Sequence, residues 1–101
     1  MIIERLVFRA KFGQGDTVAR AFQAWRERFA ERMGVPMRAM VDVTGPMFTV
    51  VVENEYRDMA HVAAAEAQER ALFADQEFEQ WFGTWSQAVE TGSRELYRVL
   101  E

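Results

Sequence analysis

The chain contains no cysteine, which removes disulfides, thiolate metal ligands and a cysteine nucleophile together. It fits a reducing compartment, so the cytoplasm is the expected location. A single histidine, His61, leaves no second imidazole or thiolate to share a transition-metal ion, and neither a metal nor another cofactor is expected. No apolar run approaches the roughly 20 residues that span a bilayer, and Glu4 and Arg5 interrupt the N-terminal apolar segment too early for a secretory signal. No membrane role is expected. Basic residues are outnumbered, with 12 Lys plus Arg against 16 Asp plus Glu for a net charge of −4. They form no block along the chain, so nucleic acid is not an expected partner.

What is present points to one folded unit. The 101 residues suit a single domain over 1–101, half of them are hydrophobic and 13% are aromatic, more than a disordered chain carries. A domain of this size buries a modest fraction of its surface. An apolar face left over after folding is therefore expected to meet a partner subunit.

Ile2 to Ala10 is β-branched and aromatic and reads as a strand. One of its faces carries Ile2, Glu4, Leu6 and Phe8, the other Ile3, Arg5, Val7 and Arg9, and neither is purely apolar. The glycines of Lys11 to Gly15 mark a loop, and Asp16 offers an acceptor for the free amides of a following helix. From Val18 the large apolar residues recur as Phe22, Trp25 and Phe29, one buried stripe, until Gly34 and Pro36 stop the helix. Strands are predicted over Met37 to Val43 and Met47 to Glu55, joined by Thr44-Gly45-Pro46 as an antiparallel hairpin.

Asp58 is a candidate cap for a helix running from Met59 to about Phe73, whose alanines suggest close packing. Asp75 marks a second start, after which Phe78, Phe82, Trp85 and Val89 repeat the helical spacing until Gly92. Arg94 to Leu100 is the last strand. The order is β-α-β-β-α-β, the α+β ferredoxin-like arrangement of a four-stranded antiparallel sheet with helices on one face. Phe48-Thr49-Val50-Val51-Val52 is apolar on both faces, which in such a sheet calls for a cover on the side the helices leave bare. A second subunit is the expected cover.

Several segments carry a family resemblance. Gly45-Pro46-Met47, Val50-Val51, Glu55-Tyr56, Met59-Ala60, Ala74-Asp75-Gln76-Glu77-Phe78, Trp81-Phe82 and Arg94-Glu95-Leu96-Tyr97-Arg98 look like the NIPSNAP-like branch of the dimeric α/β-barrel superfamily. The resemblance implies a homodimer whose sheets face each other around a cavity. It brings in cofactor-independent monooxygenases, haem-degrading enzymes, isomerase-like proteins and members with no assigned activity. Val52 and Asn54 stand where such strands often carry a histidine and an aromatic residue. Haem-degrading and quinone-forming relatives use an asparagine on the first strand, and Ile2 to Ala10 has none, so those activities do not carry over.

Candidate site residues follow from chemistry that does not belong in a covered sheet. His61 is the one side chain suited to acid-base work near neutral pH, against the plainer reading of a helix-start residue. Arg5, Arg9, Arg38, Asp42, Glu53, Tyr56, Tyr97 and Arg98 lie on strands expected to be covered on both faces, where a polar group must pair, reach the rim or line a cavity. Of these, Arg5, Arg38, Glu53 and Tyr56 are the candidate ligand-binding residues, and Arg9, Tyr97 and His61 the candidate catalytic ones. Three readings stay open: binding of a small apolar or aromatic molecule between the sheet and its dimer mate, cofactor-independent oxygenation or isomerisation of an aromatic or lactone-like substrate, and a structural or interaction dimer with a filled interior.

Overall fold

The computed structural model describes the backbone of residues 1–101 and the side chains of all but Glu31. Its elements are β1 (Ile2–Ala10), α1 (Gly15–Trp25) prolonged by a π-helical turn (Arg26–Ala30) and α2 (Glu31–Met33), then β2 (Met37–Val41) and β3 (Thr49–Tyr56). After these come α3 (Met59–Phe73), α4 (Gln76–Trp85), a 3-10 turn (Ser86–Ala88) and β4 (Val89–Arg98). The strands form one antiparallel sheet in the order β2-β3-β1-β4. This is the ferredoxin-like α+β arrangement expected from the element order.

The period-two alternation of burial along β3, and in part along β1, orients the sheet. Val50, Val52, Asn54 and Tyr56 of β3 are buried, and with Ile2, Glu4, Phe8 and Ala10 of β1 they face the helices. The core beneath them is aromatic. Phe22 and Phe29 on the first helical segment meet Trp81 and Trp85 of α4 under Val50 and Val52, and Phe8 stacks on Phe22 at 5.0 Å between ring centroids. Such pairs add about 0.5–1.5 kcal/mol each beyond the area they bury. Trp81 Nε1 donates to the Ala21 carbonyl at 2.5 Å. Trp85 Nε1 is the one buried side-chain polar atom without a partner among the described residues.

The capping signals hold in part. Asp58 and Asp75 both cap, accepting from His61 N at 2.8 Å and Glu77 N at 2.7 Å, and Gly34 takes the positive φ, 65°, of a helix stop. Asp16 does not cap: α1 begins at Gly15 behind Gln14, and Asp16 sits inside the first turn, where its charge still suits the free amides. The hairpin is antiparallel as expected but wider, since β2 stops at Val41 and β3 starts at Thr49. Asp42 closes that loop early, its carboxylate accepting from Thr49 N at 3.0 Å. Pro46 has no N–H to give a ladder and Phe48 lies at φ 61°, so neither continues a strand.

Two further expectations are overturned. The apolar spacing through Val89 to Gly92 is not helical, because α4 ends at Trp85 and β4 already begins at Val89. Pairing with β1 decides this: Val89 opposes Ala10, Lys11 N donates to Ala88 O at 2.7 Å, and Gly92 opposes Phe8. A Cβ on Gly92 would lie 3.2 Å from Phe8 Cδ1, so the glycine admits a ring rather than ending a helix. The alanines of α3 are not closely packed either. Only Val62 and Ala65 are buried there, against Ile2, Val35 and Tyr56 at one end of the sheet.

Candidate functional site

Strand register divides the candidate residues between two faces. Across β2, β3, β1 and β4, Arg38 opposes Glu53, Glu53 opposes Arg5, and Arg5 opposes Glu95. Paired residues of neighbouring strands point to the same side, so these four form one row on the face away from the helices. Its signs alternate from edge to edge. One step along the strands lies the row Met40, Val51, Val7 and Ser93, and on the other side the row Glu55, Ile3 and Tyr97. Arg9 lies farther along between Thr49 and Thr91.

Within the charged row, Arg38 Nε and an Nη both donate to Glu53 Oε1, at 2.8 and 2.5 Å. Glu53 is well sheltered at 17% side-chain exposure whereas Arg38 is 72% exposed, so this ion pair is screened and stabilises the monomer little. Arg5, flanked by two carboxylates, makes no ion pair among the described residues. The Tyr97 hydroxyl donates to Glu95, and that bond to a carboxylate pushes the phenol upward from its ordinary pKa. A hollow of about 300 Å³ opens on this face, lined by Ile3, Pro36, Met37, Arg38, Glu53 and Glu55. A larger depression of about 860 Å³ runs along the π-helical turn past Arg26, Glu27 and Val35, and holds none of the candidates.

Tyr56 and His61 lie on the helix side, as does Arg98 opposite the buried Ile2, apart from Arg5, Arg9, Arg38, Glu53 and Tyr97. Tyr56 is 4% exposed, and its hydroxyl approaches Glu4 Oε1 at 3.5 Å. Burial and then the neighbouring charge of Glu4 push the phenol well above its ordinary pKa, so it is a fixed proton donor. His61 is a helix-start residue: its Nδ1 accepts from Arg57 N at 3.1 Å and its ring meets Tyr56 edge-on at 5.3 Å. Its local bonding serves the cap of α3.

The residues that organise this interior were not among the candidates. Glu4 is 6% exposed and accepts from Asn54 Nδ2 at 2.9 Å and from Arg94 Nε at 2.6 Å. Arg94 also reaches Glu66 at 2.8 Å, and its bond to Glu4 holds the guanidinium pKa upward. Burial first, and then the charge of Glu4, raises the Glu69 carboxyl above the ordinary glutamate range. The signal was in the alternation. Once Val50 and Val52 face the core, Asn54 must share their side, and register then brings Glu4 opposite it.

Solved structures share this architecture. A NIPSNAP family protein of unknown function from Agrobacterium tumefaciens superposes with a TM-score of 0.78 at 16% identity, over 96% of this chain and 86% of that one. An uncharacterised NIPSNAP domain protein from Burkholderia xenovorans gives 0.75 at 16%, over 99% and 95%. An antibiotic biosynthesis monooxygenase gives 0.70 at 15%, over the full length of both chains. No family model and no curated protein matches the sequence. At these identities the likeness is one of fold, and it agrees with the resemblance drawn from the sequence.

Proposed function

We propose that the protein is a homodimer that binds a small apolar or aromatic molecule between its sheet and the sheet of a second copy. The observation that carries this reading is the 300 Å³ hollow on the uncovered face, whose lining joins Ile3 to Arg38, Glu53 and Glu55. That volume lies at the lower end of the roughly 300–1,000 Å³ of ligand sites, and the mixture of apolar wall and few polar groups is their usual chemistry. Standing open on one chain, the hollow needs a lid, and the half-covered Val7 and Val51 beside it offer apolar surface for one. Arg38 and Glu53 would orient the ligand's polar end.

A catalytic reading, by analogy with the antibiotic biosynthesis monooxygenase of similar fold, draws on the Glu4, Tyr56 and Arg94 cluster. It has less support. Tyr56 is held protonated, and the hollow lies on the opposite face of the sheet. Native mass spectrometry of the protein purified from its own host tests the proposal. The expected result is a mass of two chains with a co-purifying small molecule that Arg38→Ala releases. A monomer without ligand overturns it.

A further inference from the structure

We propose that the two copies meet about a two-fold axis running along the strands, so that the partner's Tyr97 closes the hollow lined by Ile3, Arg38, Glu53 and Glu55. The binding site is then shared between subunits. This inference rests on the homodimer proposed above and specifies how that dimer is built.

The charged row carries the argument. Two identical faces can pack against each other only about an axis lying in the plane between them. If that axis ran across the strands through the row, Arg38 would face its own copy, and so would Glu53, Arg5 and Glu95. Every contact within that row would then set like charges together, an arrangement that disfavours such a partner. Displaced by half a step, an axis across the strands lays Val51 and Val7 on Glu53 and Arg5, burying charge against apolar surface.

An axis along the strands reverses strand order and leaves the rows in step. Because the signs alternate as Arg38, Glu53, Arg5, Glu95 across four strands, each then faces its opposite. Arg38 on β2 meets the partner's Glu95, and Glu53 on β3 meets the partner's Arg5. Arg5, without an ion pair in its own chain among the described residues, gains one. In the adjoining apolar row Val51 meets the partner's Val7. The edge strand β2 comes over the partner's edge strand β4.

The third row then decides the site. Tyr97 opposes Ile3 and Ile3 opposes Glu55, and beyond Glu55 comes Pro36, whose carbonyl accepts from Glu55 N at 2.9 Å. Reversing the strand order places the partner's Tyr97 over Pro36, at the rim of the hollow. A phenol ring there offers a flat apolar lid with a polar end, the surface an aromatic ligand stacks on. Tyr97 is about half exposed in the single chain, free to serve this way.

Cross-linking tests the geometry without knowledge of the ligand, and the absence of cysteine makes introduced thiols the only ones. Tyr97→Cys and Arg38→Cys chains are mixed, treated with a short bis-maleimide and resolved by mass. Both positions are exposed, so folding is expected to survive, and native mass spectrometry of each variant reports the dimer separately. With the axis along the strands, positions 97 and 38 of opposite copies are separated by about the 10 Å between packed sheets plus one row, whereas 38 and its own copy are offset by about 14 Å more, three strand spacings. The expected product is the mixed 97–38 dimer, several-fold over 38–38 and 97–97. A native dimer giving chiefly 38–38 and 97–97 products, or none, overturns the shared site while leaving the dimer standing. A monomeric native mass overturns the homodimer itself.

Discussion

Glu4 holds the interior polar cluster together, and Glu4→Gln removes its charge while keeping its size. The carboxylate of wild type accepts from Arg94 at 2.6 Å and Asn54 at 2.9 Å, with Tyr56 at 3.5 Å making only a weak contact. A hydrogen bond to a charged group contributes about 1.5–3 kcal/mol. The value here belongs at the lower end, because the Arg94 side chain is 46% exposed and keeps Glu66 as a partner. The glutamine retains one oxygen for Asn54 or Tyr56 but turns a new N–H₂ toward donors. The expected loss is about 2 kcal/mol, or on the order of 10 °C in melting temperature for a domain of this size. Thermal unfolding followed by circular dichroism measures it, and a double-mutant cycle with Arg94→Gln isolates the pair, with an expected coupling of about 1 kcal/mol. A Glu4→Gln loss below about 0.5 kcal/mol, the level of an ordinary surface substitution, would refute the view that Glu4 organises this end of the core.

Glu69 binds its proton more tightly folded than unfolded, because burial and the charge of Glu4 raise its pKa above 4.5. Its contribution is therefore most favourable below the ordinary glutamate range and is lost as pH rises through the raised value; Glu69→Gln should gain stability relative to wild type between pH 4.5 and 7 in parallel melts, and a constant difference across that range contradicts the shift. Gly92→Ala should destabilise by about 1 kcal/mol, since the added Cβ meets Phe8 Cδ1 at 3.2 Å and the ring must move within a packed aromatic cluster. Denaturant unfolding with an unchanged midpoint would show that the ring gives way freely. Trp81→Phe should cost more than Trp85→Phe, because only the first loses a hydrogen bond while the second removes a buried donor that has no partner. Equal midpoints in urea for the two variants would contradict this.

Local chemistry determined much of the frame. Asp58 and Asp75 announce helix starts because a short side chain can bond the free amides of the next turn, and Gly34 with Pro36 announces a stop because one permits a positive φ and the other lacks an N–H. The strand-helix order, and with it the ferredoxin-like sheet, follows from such signals and from apolar spacing. They hold only while neighbours in sequence are also the decisive neighbours in space. Val89 and Gly92 fit a helical stripe by spacing alone, but pairing with β1 made them strand residues, since a whole ladder of backbone bonds outweighs the propensity of a few positions.

The candidate site depended on tertiary structure more heavily. Arg5, Arg38, Glu53 and Tyr97 are conspicuous in the sequence as charge and phenol on apolar strands, yet nothing in it says that they share a face. Register settled that, because a one-residue slip would send every side chain of a strand to the opposite side. The same register sent Tyr56 inward to Glu4, while His61 sits in the first turn of α3, its amide donating to the cap residue Asp58. By itself, then, the sequence determined which elements form and which residue types are out of place on them. Only the folded sheet decided which of those residues meet, because a meeting across four strands depends on pairings between residues as far apart as Arg5 and Glu95.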